Sequence, residues 1–282
     1  MMKSVFLIII LFLTTQFIGL YVGDQYNQAI SSGIAEPALE NSESIETSFY
    51  LFGYIMFSTV IILIIIKFKK SFIRILEAFV IFMSSWITFD FLVPLDIWYL
   101  SLGFFLALIL TAWKMYRPTI LSQDVAAVIS GAGVGAILGA SLGVIPSIVF
   151  MLILSVYDFV SVFITKHMVH MAKALTERPT SFTIAAPHEF KTMTYSPTKS
   201  KRSKKRIHVF QLGVGDMVIP LMFAVSVLNR FGIVSSIASI VGSAIALLSL
   251  IYFIKKRPQP LPALPFITFG TLAAFLLSLT IA

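Results

Sequence analysis

Two aspartates lie inside apolar stretches, and this placement constrains the chain more than any other feature. Asp158 lies within the apolar segment 151–163, and Asp216 lies within the segment 210–220. A carboxylate at the centre of a bilayer costs roughly 2.5–3.5 kcal/mol on insertion scales, so a residue of this kind is by default functional and needs a partner. We predict that the partner of each aspartate is the other one.

The composition indicates a membrane protein. The chain has 282 residues, of which 58% are hydrophobic and 12% charged, and no soluble domain of this size has such a composition. We therefore predict an all-α polytopic membrane protein embedded in the lipid bilayer. The net charge of +8 is explained by Lys and Arg in cytoplasmic loops, so no nucleic acid partner is expected. The chain contains no cysteine, which excludes disulfides, thiol catalysis and Cys-ligated metals.

The apolar stretches and the basic residues together predict a topology. A transmembrane helix needs about 20 apolar residues, and nine stretches are near this length. Basic residues follow the second, fourth, sixth and eighth stretches, whereas the loop after the first is acidic. Because Lys and Arg collect in cytoplasmic loops, we predict a cytoplasmic N-terminus and an outer C-terminus, with Arg230 the one basic residue outside. The predicted spans are residues 4–22, 49–66, 73–93, 98–113, 124–145, 147–165, 209–229, 231–254 and 261–281.

One long polar segment divides the chain. We predict helices one to six in residues 1–165, a basic cytoplasmic loop in residues 166–208, and helices seven to nine in residues 209–282. The start of the loop, 166–175, could form an amphipathic interfacial helix. The rest of the loop carries prolines and a Lys/Arg run and is predicted to be flexible. The two helical parts are expected to form one membrane-embedded unit.

The two aspartates are predicted to share a depth in the membrane. Asp158 lies eight residues before Lys166, and Asp216 lies ten residues after Arg206. At 1.5 Å per helical residue, both carboxylates lie roughly 12–15 Å below the cytoplasmic interface. Their helices run in opposite directions, so the carboxylates can face each other if the helices are neighbours.

Such a pair is suited to peptide hydrolysis. Two close carboxylates in a low-dielectric site hold a single proton between them. The ionised member takes a proton from water, while the protonated member donates to the scissile carbonyl. No metal, cofactor or nucleophilic side chain is required.

The residues beside the aspartates fit this chemistry. Gly213 and Gly215 remove side chains just before Asp216, which lets a substrate backbone approach. Tyr157 places a hydroxyl beside Asp158, where it either hydrogen-bonds in the site or only makes a helix contact.

A proline-rich segment precedes the last apolar stretch. Pro262 and Pro265 keep the chain extended and lack N–H donors, whereas Ala263 and Leu264 retain theirs. Irregular backbone at membrane depth is tolerated only inside protein or beside water. The segment is therefore either a helix-start signal or a support that packs against the dyad and binds an unwound substrate.

Three motifs together resemble the presenilin and signal peptide peptidase family of intramembrane aspartyl proteases. They are Tyr157-Asp158, Gly213-Val214-Gly215-Asp216 and Pro262-Ala263-Leu264-Pro265, in this order and in matching spans. The resemblance implies that Asp158 and Asp216 are the catalytic residues and that the third motif supports the active site.

The same resemblance implies the cellular setting. Its substrates would be single-span membrane proteins or signal peptides. The short loops, with no long soluble N-terminal region, resemble a prokaryotic member of the family, archaeal in type, which places the protein in the cell membrane. We expect no obligatory partner subunits, and self-association into a homo-oligomer stays open.

Two other functions compete with this interpretation. Prepilin-type peptidases also use two aspartates with a similar glycine motif, but nearer the loops, and the proline segment argues against them. A proton- or ion-coupled transporter also buries carboxylates, but the chain shows no convincing internal repeat.

The other polar residues have simpler explanations. His167 and His170 lack further ligands, so no metal site is expected. Glu77 and Asp124 lie near the ends of predicted spans, where solvation at the interface would suffice.

Overall fold

The computed structural model describes residues 2–39, 43–68, 72–94, 96–97, 100–164, 183–186, 210–256 and 261–281. Helices make up most of these residues, as the apolar composition predicts. Five helices are long and apolar enough to cross a membrane, and three further apolar helices are shorter over their described residues. The helices are α1 (Met2–Ser31), α2 (Ile45–Phe68), α3 (Phe72–Leu92), α4 (Leu102–Tyr116), α5 (Ile120–Ser141), α6 (Val144–Phe163), α7 (Gly215–Lys256) and α8 (Leu264–Ile281).

Helix α7 consists of two helical segments that meet at Gly232. This glycine has φ 79° and ψ −178°, a conformation that residues with a Cβ rarely adopt. The Ser236 hydroxyl donates to the Ala224 carbonyl at 2.6 Å, which holds the segments against each other. The break lies beside Arg230, where the boundary between the seventh and eighth apolar stretches is predicted.

Two short antiparallel strand pairs complete the described structure. Strand β1 (Asp96–Ile97) pairs with β2 (Leu100–Ser101) between α3 and α4. Strand β3 (Thr183–Ala186) pairs with β4 (Phe210–Gly213), with Thr183 opposite Gly213 and Ala186 opposite Phe210.

The β3–β4 pair corrects the boundaries expected from the sequence. The apolar pattern predicts residues 209–214 as part of the seventh span, but β4 occupies 210–213 and α7 begins only at Gly215. Glycines disfavour a helical start here, and pairing with β3 satisfies the extended backbone. Within the predicted loop 166–208, residues 183–186 form a strand. The rest of that loop, including the predicted amphipathic helix and the Lys/Arg run, lies outside the described residues.

Close helix packing places α6, α7 and α8 around a common core. Helix α8 packs most extensively against α7, and α1 packs against α5 and α7. Buried Phe12, Met217 and Ile267 belong to one core cluster, which joins α1, α7 and α8. Phe150 and Phe275 belong to a second cluster, which joins α6 and α8. These clusters fix the helices that carry the aspartates.

Glycines allow α7 and α8 to approach closely, and this predicts a stability effect. A Cβ on Gly242 would lie 2.3 Å from the Gly270 carbonyl oxygen, whereas a Cβ on Gly53 of α2 would meet nothing within 4 Å. Gly242→Ala is therefore expected to destabilise the protein by about 1–3 kcal/mol through overpacking. Gly53→Ala should be neutral or stabilising, because alanine favours helix. Thermal unfolding in detergent compares the two, and equal melting temperatures would contradict the packing account.

The charged residues near the span ends are more buried than the sequence suggests. Glu77 is 6% exposed and Lys114 is 3% exposed, and the two form an ion pair that joins α3 to α4. Asp124 is also buried. The expectation that interfacial solvation accounts for Glu77 and Asp124 is therefore wrong, since a buried charge needs partners within the protein.

Candidate active site

Helices α6 and α7 bring the two aspartates to one cavity. Asp158 lies near the end of α6 and is 5% exposed, and Asp216 lies in the first turn of α7. Both line a cavity of about 200 Å³, and their carboxylates are close enough to interact electrostatically. The remaining walls are almost entirely apolar: Ile8, Val162, Leu212, Leu247, Leu250, Ile251, Ile254, Leu261 and Ala263.

The proline segment reaches Asp158 at the start of α8. The backbone N–H of Leu264 donates to Asp158 Oδ2 at 3.2 Å, and the backbone N–H of Ala263 interacts with the same carboxylate. Pro262 is buried, and Pro265 lies in the first turn of α8. The segment therefore begins a helix and also contacts an aspartate.

The two glycines before Asp216 occupy the transition from strand to helix. Gly213 ends β4, and a Cβ there would lie 3.3 Å from Asp216 Oδ2. The Gly213 backbone N–H also interacts with the Asp216 carboxylate. A Cβ on Gly215 would meet nothing within 4 Å. Gly213 therefore lets the backbone approach the carboxylate, while Gly215 faces open space.

Tyr157 faces away from the cavity. Its ring makes an edge-on contact with Phe52 of α2, with the ring centroids 5.9 Å apart. It also lines a separate apolar groove of about 450 Å³ between α2 and α6. Of the two interpretations of Tyr157, this geometry favours the helix contact.

Three polar residues near the aspartates were not singled out from the sequence. The Gln16 side-chain amide of α1 donates to the Met217 carbonyl at 2.8 Å, next to Asp216. Ser155 of α6 donates to the Thr268 hydroxyl of α8 at 2.7 Å. Each is a polar residue within an apolar helix, which is the one signal the sequence offers. Their partners are 201 and 113 positions away, so only the fold identifies them.

Among the described residues, no group of three or more His, Cys, Asp or Glu side chains could hold a metal ion. His167 and His170, whose spacing would put them on one helix face, lie outside the described residues, as do His188 and His208.

Comparison with known proteins decides the family. The family model described as signal-peptide peptidase, presenilin aspartyl protease matches residues 29–282. The chain belongs to this family. It is therefore an integral membrane protein and an intramembrane aspartyl protease, an aspartic endopeptidase that acts on membrane-embedded substrates. The predicted resemblance is confirmed, and the prepilin-type peptidase and transporter alternatives are not supported.

Solved structures show the same fold. A presenilin family intramembrane aspartate protease in C222 crystals is 23% identical, with a TM-score of 0.73 over 99% of both chains. A second structure with the same description, in P2 crystals, is 23% identical, with a TM-score of 0.70 over 97% of this chain and 96% of the other. A search of curated proteins found no match.

Proposed function

We propose that this protease hydrolyses peptide bonds within transmembrane segments with Asp158 and Asp216 as its catalytic dyad and water as its nucleophile. One observation carries the proposal: the two carboxylates, from different helices, line the same small cavity and interact with each other. A pair of carboxylates that share a proton is the arrangement that supports water attack on an amide without a metal.

In the proposed reaction, the ionised carboxylate takes a proton from the attacking water, and the protonated carboxylate donates to the carbonyl oxygen. The resulting gem-diol collapses when a proton passes to the amide nitrogen and the C–N bond breaks. The Leu264 N–H on Asp158 Oδ2 holds one carboxylate oxygen in place, which orients the other for proton transfer. Leu264 and Ala263 are thus proposed as active-site support, with Pro262 and Pro265 fixing their backbone.

The cavity is too small for a helix, so the substrate must unwind locally before attack. A helix with side chains is about 10–12 Å across, whereas the cavity holds about 200 Å³. Its apolar walls suit the side chains of an extended transmembrane segment. The open space beside Gly215 leaves an approach for the substrate backbone. We therefore propose that Gly213, Gly215 and the proline segment Pro262–Pro265 accommodate this extended segment.

We further propose nine spans, with the N-terminus in the cytoplasm and the C-terminus outside. The break at Gly232 supports this count, because the two segments of α7 can each cross the membrane. Arg230 lies 3.7 Å from Glu43, which supports placing Arg230 on the same side as the acidic first loop.

We propose that the substrates are single-span membrane proteins or signal peptides. We also propose that the protease lies in a prokaryotic cell membrane and is active without partner subunits.

The experiment is cleavage of a single-span reporter by the purified protein in detergent. We expect fragments whose masses place the cut within the transmembrane segment, and a transition-state-mimicking aspartyl protease inhibitor should block their formation. A Gly-Gly pair near the cut should raise the cleavage rate relative to a matched Leu-Leu pair, because it lowers the cost of unwinding. Equal rates for the two reporters would contradict the unwinding step.

A further inference from the structure

Helices α6 and α8 contact each other through polar groups at two levels. At the first, the Leu264 N–H donates to Asp158 Oδ2. At the second, the Ser155 hydroxyl donates to Thr268 Oγ1 at 2.7 Å. Ser155 lies three residues before Asp158, and Thr268 lies four residues after Leu264. Residues three or four apart share a helix face, so the two hydrogen bonds join the same faces of antiparallel helices, one turn apart.

The hydroxyl pair differs from the usual use of buried hydroxyls in these helices. Thr271 of α8 donates to the Ile267 carbonyl of its own helix, and Ser147 of α6 donates to the carbonyl of Gly143, the N-cap of that helix. Ser155 and Thr268 are 8% and 3% exposed and bond to each other instead. In an apolar interior a hydroxyl is costly without a partner, so this bond favours one alignment of the two helices.

We propose that the Ser155–Thr268 hydrogen bond is a positioning contact for the reaction. It sets the sliding position of α8 along α6 and so keeps the Leu264 N–H on the Asp158 carboxylate. Neither hydroxyl lines the cavity, so neither acts on the substrate. A displacement of α8 that lengthened the distance between the two hydroxyl oxygens by about 1 Å would break this hydrogen bond, and misplacement of about that size near a catalytic group can cost about 10²-fold in rate. The inference rests on the proposed role of Asp158.

The experiment compares two threonines on one helix. Thr268→Val removes the inter-helix hydroxyl and keeps the shape of the side chain. Thr271→Val makes the same change at a fully buried position, where the hydroxyl donates to the Ile267 carbonyl of its own helix. We expect Thr268→Val to lower kcat by about 10-fold or more, with KM changed less than about twofold. Thr271→Val should keep kcat near the wild-type value. Thr268→Ser, which retains a hydroxyl, should restore most of the rate.

Ser155→Ala tests the other end of the bond with a smaller change, and it keeps the proposal testable where Thr268→Val fails to fold. We expect Ser155→Ala to lower kcat like Thr268→Val, and the double variant to lose little more than either single one, because both remove one interaction. Equal kcat losses for Thr268→Val and Thr271→Val, or additive losses in the double variant, would overturn the proposal.

Asp158→Asn, assayed in parallel, separates this inference from the function on which it rests. An active Asp158→Asn variant would refute the dyad itself, and the positioning role with it. An inactive Asp158→Asn variant together with unchanged kcat in both Thr268→Val and Ser155→Ala would refute the positioning role alone.

Discussion

Replacing Asp158 or Asp216 with asparagine is expected to abolish cleavage of a single-span reporter. Asparagine keeps the size of the side chain but can neither hold nor transfer the proton that the pair shares. Loss of general acid–base catalysis lowers the rate on the order of 10²–10⁴-fold. Each variant loses both the general acid and the general base function, because the two carboxylates act as a unit. Rates of fragment formation for the purified variants measure the effect, with thermal unfolding to establish that they are folded.

Asp90 provides the matched control for these variants. It lies in α3, where its backbone and carboxylate pack against Gly103 of α4, and it does not line the cavity that Asp158 and Asp216 share. Asp90→Asn makes the same substitution in a membrane helix and should leave the cleavage rate within a fewfold of wild type. Cleavage that persists in both Asp158→Asn and Asp216→Asn would refute the dyad outright.

The two aspartates could be singled out from the sequence because a carboxylate in an apolar helix raises the free energy of inserting that helix into the membrane. A carboxylate within an apolar helix needs a local reason, and counting residues from the basic loops placed both at one depth. The break of α7 beside Arg230 was also predictable, since a single charge interrupts a long apolar stretch there. These features depend on each residue and its neighbours in the chain.

The features that escaped prediction depend on pairing between distant segments. Strand β4 is apolar enough to pass as part of a membrane span, and only its partner β3 reveals it as a strand. The sequence predicts a solvated Glu77, because hydropathy does not show that Lys114 of α4 lies beside it. Ser155 and Thr268 are ordinary polar residues until α6 and α8 meet. In each case tertiary packing brings the partner close. The periodicity of helices and strands in the sequence does not indicate which distant residue that partner is.

Replacing Leu264 with proline is expected to lower kcat by about 10- to 10²-fold. Leu264 begins α8, a position where proline suits the helix because the N–H has no partner within it. The donor that proline would remove is the one on Asp158 Oδ2. A hydrogen bond to a charged group contributes about 1.5–3 kcal/mol, which corresponds to a rate change of this size when the bond orients a catalytic carboxylate.

Leu264→Ala isolates the N–H from the side chain. Both variants lose the buried leucine side chain, which packs in the core cluster with Phe275. Both are therefore expected to be less stable, and the alanine change should lower the free energy of unfolding by about 2–5 kcal/mol. Only the proline variant also loses the donor. Under conditions where both remain folded, kcat should therefore fall further in Leu264→Pro than in Leu264→Ala, with similar KM. Equal kcat values would mean that the Asp158 carboxylate does not depend on this N–H and that the segment contributes through side-chain packing alone.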